Sequence, residues 1–465
     1  MNEYKHIDID FLRKYNEPGP RYTSYPTAPV FTEAFGPDEF KQEIENTNPE
    51  DGNRPLSLYY HLPFCDELCY FCACTMIVTQ KPEKKSRYLE SLEREIDMVA
   101  GMIHGDRQVT QLHWGGGSPT DYAPEQIEGL ARRIRSRFNF ASDDDGEFSC
   151  EIDPRGMTRA HVEALRAGGF NRASMGVQDF DPVVQKAVNR IQPESITREL
   201  IDWCRETGFK SVNMDFMYGL PYQTLEGFSR TLDKLIDISP DRIAMFNFAY
   251  VPWLKKHHEQ LIDPETLPSA EERLQLLKLT IERLSAAGYV YIGMDHFARP
   301  DDELTVAQKD RTLRRNFQGY STQVGCDLYA FGMSGISQLE NIYAQNDKTL
   351  ADYYAAVDQG QFATVCGYRL EDDDHLRREV IMRLMCDFEL RKSPIEEQFG
   401  IEFDSYFANS MSRLDRFFED NLIEPATDGF DVTSMGRLVI RNIAMCFDSH
   451  LDDMRGEKPM FSRTV

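Results

Sequence analysis

Ser57-Leu-Tyr-Tyr-His-Leu-Pro-Phe-Cys65-Asp-Glu-Leu-Cys69-Tyr-Phe-Cys72-Ala-Cys74 places a β-rich run, Ser57 to Leu62, directly ahead of a loop with four cysteines in ten positions. Downstream the same kind of run recurs at Val109 to Trp114, Glu147 to Asp153, Arg172 to Val177, Ser211 to Met217 and Arg242 to Tyr250, with Tyr289 to His296 as a seventh. Helical stripes fill the gaps: Leu89, Leu92, Ile96, Val99 and Ile103 fall at three- and four-residue steps, as do Ile127, Leu130 and Ile134. Gly208 and Gly288 stand where helix stops are expected. Strands alternating with single helices predict an α/β fold with parallel strands and crossover helices. Six such units are too few for a closed eight-stranded barrel, so the expectation is a partial (β/α)6 barrel with its chemistry on the loops that follow the strands. The cysteine loop is one of these.

Outward from that core, three regions are expected. Residues 1–50 precede the first unit; Pro18-Gly-Pro-Arg21-Tyr-Thr-Ser-Tyr-Pro-Thr27 reads as an ordered, extended segment lying across the barrel and its active site. Residues 51–365 form the barrel. Residues 366–465 turn helical (Glu379 to Glu389, Ser405 to Asp420, Ser434 to His450) around a short strand pair near Leu422 to Val432, as in a small accessory domain.

The chain has 465 residues, 41% of them hydrophobic, which is enough apolar material for a large core. Lys and Arg number 52 against 77 Asp and Glu, a net charge of −25 that repels a phosphate backbone. The last region, whose helices suggest a winged helix, is itself acidic, so nucleic acid is not expected as a partner. No apolar stretch reaches the length of a membrane helix and the first residues lack a signal peptide's apolar run, so a cytoplasmic enzyme is expected.

Ten cysteines are too few for a disulfide scaffold in a chain this long. Cys150, Cys204, Cys326, Cys366, Cys386 and Cys446 are scattered and read as small core residues. Cys65, Cys69 and Cys72, spaced C-x3-C-x2-C, bring three soft thiolates together, which suits zinc or an iron–sulfur cluster. A zinc site would take Cys74 as fourth ligand, but zinc sites usually present two separated pairs. Three thiolates on a four-iron cube leave one iron open to a small molecule. Gly115, Gly116 and Gly117 end the second strand, where backbone can approach a ligand that side chains would block.

With these motifs in view, the chain resembles the radical S-adenosylmethionine enzymes, whose cluster motif has this spacing and whose fold is a partial βα barrel. Within that superfamily it is similar to the oxygen-independent coproporphyrinogen III oxidase family over almost its whole length. The likeness rests on Arg21-Tyr-Thr-Ser-Tyr-Pro-Thr27, His113-Trp-Gly-Gly-Gly-Ser-Pro-Thr120, Glu151-Ile-Asp-Pro-Arg155, Met175-Gly-Val-Gln-Asp-Phe180, Gly293-Met-Asp-His-Phe-Ala-Arg-Pro300 and Asn316-Phe-Gln-Gly-Tyr320. Ser118, Ala73 and Gly156 stand where the family often has Thr, Gly and Glu; none of these changes removes a ligand.

The resemblance implies a [4Fe-4S] cluster on Cys65, Cys69 and Cys72, with Cys74 as an essential catalytic group beside it; Cys74 has no counterpart in the related heme-chaperone branch, which is the alternative reading. It implies two molecules of S-adenosylmethionine: one met by Tyr59, Gly116, Glu151 and Ile336, the other by Phe71, Gly117, Ser118, Gln178, Arg190, Asp215 and Ala249. The implied substrate is coproporphyrinogen III, whose propionates would be met by Arg21, His296, Arg299, Gln318 and Tyr320. The implied reaction turns two propionates into vinyl groups through a 5′-deoxyadenosyl radical, in a monomer served by a separate electron donor and acceptor.

Overall fold

Along Leu56–Leu62 (β1), Leu56, Leu58, Tyr60 and Leu62 alternate with Ser57, Tyr59 and His61. A strand sends successive side chains to opposite faces, so the two sets separate cleanly. The same alternation continues in Gln108–Gly116 (β2), Glu147–Ile152 (β3), Arg172–Gln178 (β4), Ser211–Tyr218 (β5) and Arg242–Asn247 (β6). The apolar set joins the main core: Tyr60 stacks on Phe331 at 4.6 Å, and Trp114, fully buried, meets Phe170 edge-on at 4.8 Å. The polar set lines the lumen, where Ser57 donates to Gln111, Gln111 to Glu147, and Ser174 and Asn213 to Asp215.

These statements apply to residues 4, 7–47, 54–451 and 461–464, which the computed structural model describes. The boundary expected near residue 50 lies outside them.

Strands β1 to β6 pair in parallel, each with the next, which establishes the α/β partial barrel of six units. Helices Pro82–Ala100 (α1), Pro124–Arg135 (α2), Arg159–Ala167 (α3), Glu194–Glu206 (α4) and Leu225–Ile238 (α5) make the crossovers, and Ala270–Ala286 (α6) follows β6. Leu92, Ile96 and Val99 of α1 and Ile127, Leu130 and Ile134 of α2 are buried as their spacing requires, whereas Ile103 falls beyond the end of α1. Helices α4 and α6 stop just before Gly208 and Gly288.

The seventh expected strand is corrected. Tyr289 to His296 is broken by a turn at Met294 and Asp295, both with positive φ (43° and 72°), into Val290–Gly293 (β7) and His296–Ala298 (β8). The two pair antiparallel and β8 runs antiparallel to β6. A further parallel strand that repetition did not reveal, Asp327–Phe331 (β9), lies on the other side of β1. Ile336–Gln338 (β10), Ile342–Asn346 (β11) and Thr364–Arg369 (β12) extend that edge antiparallel. No helix separates β9, β10 and β11, and the helix before β12, Leu350–Asp358, joins antiparallel strands, so the βα rhythm that exposes the other strands is missing.

The C-terminal region is mostly helical. It begins with Asp372–Asp387 (α7); the stretch read as one helix from Ser405 is three short ones, Phe403–Tyr406, Ala408–Arg413 and Asp415–Glu419. The expected strand pair is present at Ile423–Ala426 and Gly429–Val432, joined by a third strand, Glu389–Arg391. Among the described residues no helix is long and apolar enough to cross a membrane.

Candidate active site

Cys65 ends a two-residue strand that pairs in parallel with Ile77–Val78, so the cysteine loop is tied where it leaves the barrel and where it returns. Between these ties, neighbouring loops hold it from outside. Tyr70 N–H donates to the Val188 carbonyl (3.0 Å), Asn189 Nδ2 to the Leu68 carbonyl (2.8 Å) and Lys255 Nζ to the Cys74 carbonyl (2.9 Å), while His257 Nε2 lies 2.8 Å from the Cys72 carbonyl. The four thiols are free and line a cavity of about 680 Å³ at the ends of the parallel strands. The neighbouring Cys74 thiol lowers the Cys72 thiol from its ordinary value, while burial pushes Cys65 up. Guanidinium nitrogens of Arg155 and Arg190 stand 3.3 and 3.5 Å from Cys69 Sγ.

Among the described residues no three His, Cys, Asp or Glu side chains are gathered around one point for a single ion. A donor set of soft thiols on one loop, with cations beside them, fits an iron–sulfur cluster, which spreads its ligands over several metal atoms and carries negative charge.

The opposite wall of the cavity is backbone. Gly117 N–H donates to the Leu62 carbonyl (2.9 Å), and a Cβ at Gly117 would sit 2.5 Å from the Pro63 carbonyl, so only glycine closes here. Ser118 donates its backbone N–H to the Phe64 carbonyl (2.8 Å) and its hydroxyl to Asp121 (2.9 Å).

Burial alone would raise the Glu151 carboxyl, but His113 at 3.3 Å and the Gly116 N–H at 3.2 Å hold it below the usual carboxylate range. Asp153 is also buried, yet Arg190 at 3.1 Å and Arg155 at 2.7 Å bring it down to about 2. Asp215 has only neutral donors, Ser174 and Asn213; burial and the nearby Glu151 charge push it up to about 7. Phe71 packs with Val184, Val188, Leu220 and Phe248 into an apolar shield beside the cysteines.

Cys65, Cys69, Cys72, Cys74, Phe71, Gly117, Ser118, Glu151, Gln178, Arg190 and Asp215 therefore meet around one cavity. Tyr59 lies deeper in the lumen, stacked on His113 at 5.9 Å with its hydroxyl 3.1 Å from His61. Gly116 is one residue outside the lining, and Ile336 opens β10. Ala249 is half-buried just past β6 and is not part of the lining.

Comparison with known proteins supplies the relationship. Residues 59–235 match the Radical SAM superfamily and residues 370–439 the HemN C-terminal domain. Oxygen-independent coproporphyrinogen III oxidases of Pseudomonas aeruginosa and Escherichia coli (strain K12) are 45% and 47% identical to the chain over 458 residues, covering 98% of it and 98% of each relative. A solved structure described as coproporphyrinogen III oxidase (HemN) from Escherichia coli, a radical SAM enzyme, matches with a TM-score of 0.90 at 46% identity, over 96% of this chain and 100% of that one. The chain belongs to the oxygen-independent coproporphyrinogen III oxidases. Membership of this radical SAM family implies a [4Fe-4S] cluster and S-adenosylmethionine.

The substrate-side residues expected of such an oxidase separate into two groups. Arg21 pairs with Asp295 at 2.7 Å and lies 5.7 Å from the Phe246 ring. His296 stands edge-on to Phe246 (5.9 Å) and Tyr320 (5.5 Å); burial and the nearby Arg315 bring its imidazole down to about 4, so it is neutral. Tyr320 donates to the Met385 carbonyl (3.0 Å), and Gln318 reaches Ser57 in the lumen (3.2 Å) with its Oε1 buried and unpartnered. Arg299 is not with them. Because β8 runs antiparallel to β6, the chain moves from His296 back toward the strand starts, where Arg299 is exposed beside Asp301 and Ser239.

The sequence reading missed Asp153 and Arg155, although both lie in a quoted motif immediately after β3; that position was the available signal. Arg315, which enters this group through Tyr320 at 4.6 Å, directly precedes the quoted Asn316 to Tyr320 motif and was missed too.

Proposed function

We propose that the chain catalyses oxygen-independent oxidative decarboxylation of two propionate side chains of coproporphyrinogen III to vinyl groups, giving protoporphyrinogen IX. The observation that carries this reading is identity of 45–47% to named oxidases along 98% of the chain, C-terminal domain included.

Cys65, Cys69 and Cys72 would hold the cluster and leave one iron free of protein ligand. When bound and reduced, the cluster and S-adenosylmethionine would supply the one-electron radical chemistry that oxidative loss of carbon dioxide from a propionate requires. Cys74, next to Cys72 in the lining of the same cavity, would act beside the cluster without joining it. Tyr59, Gly116, Glu151 and Ile336 would orient the first S-adenosylmethionine. Phe71, Gly117, Ser118, Gln178, Arg190, Asp215 and Ala249 would hold a second. Ionised Glu151 suits an ammonium or ribose hydroxyl, and Arg190 a carboxylate.

Arg21, His296, Gln318 and Tyr320 would place the tetrapyrrole. The segment up to residue 50 would lie over the barrel of residues 51–365: Arg441, from the accessory region 366–465, donates to the Gly19 and Pro20 carbonyls, and Arg21 reaches the barrel at Asp295. Phe71 and its apolar neighbours would exclude water from the radical. In this reading the enzyme works as a cytoplasmic monomer with a separate electron donor and acceptor.

The test is an oxygen-free assay of the reconstituted protein with coproporphyrinogen III and S-adenosylmethionine, following 5′-deoxyadenosine, carbon dioxide and tetrapyrrole product. All three are expected together; an intact cluster with none of them rejects the reading.

A further inference from the structure

Among the described residues, Arg315, a cation beside the lumen, forms no ion pair. Arg315 lies on the hairpin formed by Arg314–Asn316 and Gly319–Ser321, opposite Tyr320, and is only 7% exposed. Its guanidinium covers the Tyr320 ring at 4.6 Å, but Nε and Nη1 are buried without a hydrogen-bond partner. Among the described residues no carboxylate forms an ion pair with it.

The surrounding charges do not compensate. Asp295 is engaged by Arg21 at 2.7 Å. Arg441, 4% exposed, spends its N–H groups on the carbonyls of Pro20, Gly19 and Arg463, and burial together with Arg21 brings it down to about 9. Burial likewise lowers Arg315 from its ordinary value, and His296 is neutral. Among the described residues three guanidiniums thus lie around one carboxylate; Arg315 and Arg441 are buried, while Arg21 and Asp295 are 34% and 20% exposed. A buried cation without a partner is costly unless something anionic joins it.

The position shows what could join it. Tyr320 is edge-on to His296, His296 to Phe246, and Phe246 lies on β6 beside Met217 of β5, two residues beyond Asp215 in the wall of the cysteine cavity. The excess positive charge therefore borders the lumen where the chemistry would occur.

We infer that Arg315 is a substrate-binding residue whose free guanidinium edge receives a propionate carboxylate of the tetrapyrrole, with Arg21 beside it and Arg441 as a fixed positive charge behind. This inference rests on the function proposed above. A carboxylate is planar and matches a guanidinium fork, and Tyr320 stacked on the guanidinium keeps that edge oriented.

The test compares the reconstituted holoenzyme with Arg315→Met and Arg315→Lys. For Arg315→Met the KM for coproporphyrinogen III should rise about ten- to a hundredfold, the loss expected for a charge-assisted contact. Arg315→Lys keeps the charge without the fork and should lie between. Iron content should stay at the wild-type level. Without substrate, Arg315→Met should melt no lower than wild type, because an uncompensated charge has been removed; a merely structural cation–ring contact would move the melting temperature down and leave KM alone. KM within about twofold of wild type in both variants overturns the inference whatever the melting temperature. If Arg315→Met does not fold, KM of Arg315→Lys decides by the same criterion. Wild-type turnover separates the two readings: a wild-type protein that makes no product removes the proposed function, whereas normal wild-type turnover with unaltered variants removes Arg315 alone.

Discussion

The two ends of the lumen are charged in opposite styles. Beside the cysteine loop, buried acids are met by donors already in the protein: Asp153 by Arg155 and Arg190, Glu151 by His113 and the Gly116 N–H. Around Tyr320, among the described residues, Arg21, Arg315 and Arg441 share Asp295 alone. At the first end Glu151 and Asp153 are balanced by the protein's own donors, Asp215 aside; the second is balanced when an anion arrives. A lumen of this kind separates the groups that hold a resident cofactor from the groups that sort incoming molecules.

Substitutions can break that contrast in order of severity. Cys65→Ser is expected to abolish both cluster and product, because two remaining thiolates cannot hold the cube; iron and sulfide analysis with product assay checks this. Cys74→Ser should keep most of the iron yet lose turnover, and a parallel loss of iron would make Cys74 a ligand. Asp153→Asn makes the balanced end resemble the unbalanced one by leaving Arg155 and Arg190 without their carboxylate. It should cost about 3 kcal/mol of unfolding free energy in urea denaturation. Because Asp153 is held down to about 2, its contribution is full above the unfolded carboxylate range, near pH 4, and fades as pH falls toward 2. The difference between wild type and Asp153→Asn should shrink over that window. Arg299→Ala is the mildest case: an exposed cation at the far ends of the strands should leave the KM for coproporphyrinogen III within about twofold of wild type.

The same contrast explains what the sequence reveals. The cysteine end is built from contiguous motifs that follow strands, so a spacing of three thiols and a run of glycines locate most of its wall. The partial barrel is legible for a related reason, since each of six units repeats one strand and one amphipathic helix. β9, β10 and β11 follow one another without helices, β12 returns antiparallel after Leu350–Asp358, and the turn at Met294–Asp295 interrupts a run that otherwise reads as one strand. The cationic end is assembled from residues 21, 295, 315, 320 and 441, which have no spacing in common. Arg299 shows the converse error. It lies three positions from His296, but an antiparallel return carries it to the other end of the barrel.

The alternation along the parallel strands divides labour by position. Leu58, Trp114 and Phe148 press outward into the packed shell, while Tyr59, His113 and Ser149, each an immediate neighbour in the chain, turn into the lumen. Moving one place along a strand therefore exchanges one kind of damage for another: an altered outward residue loosens the scaffold, and an altered inward one leaves a sound scaffold with different chemistry. Such a barrel can acquire new substrates by drift at its inward positions while the shell that keeps it folded stays the same.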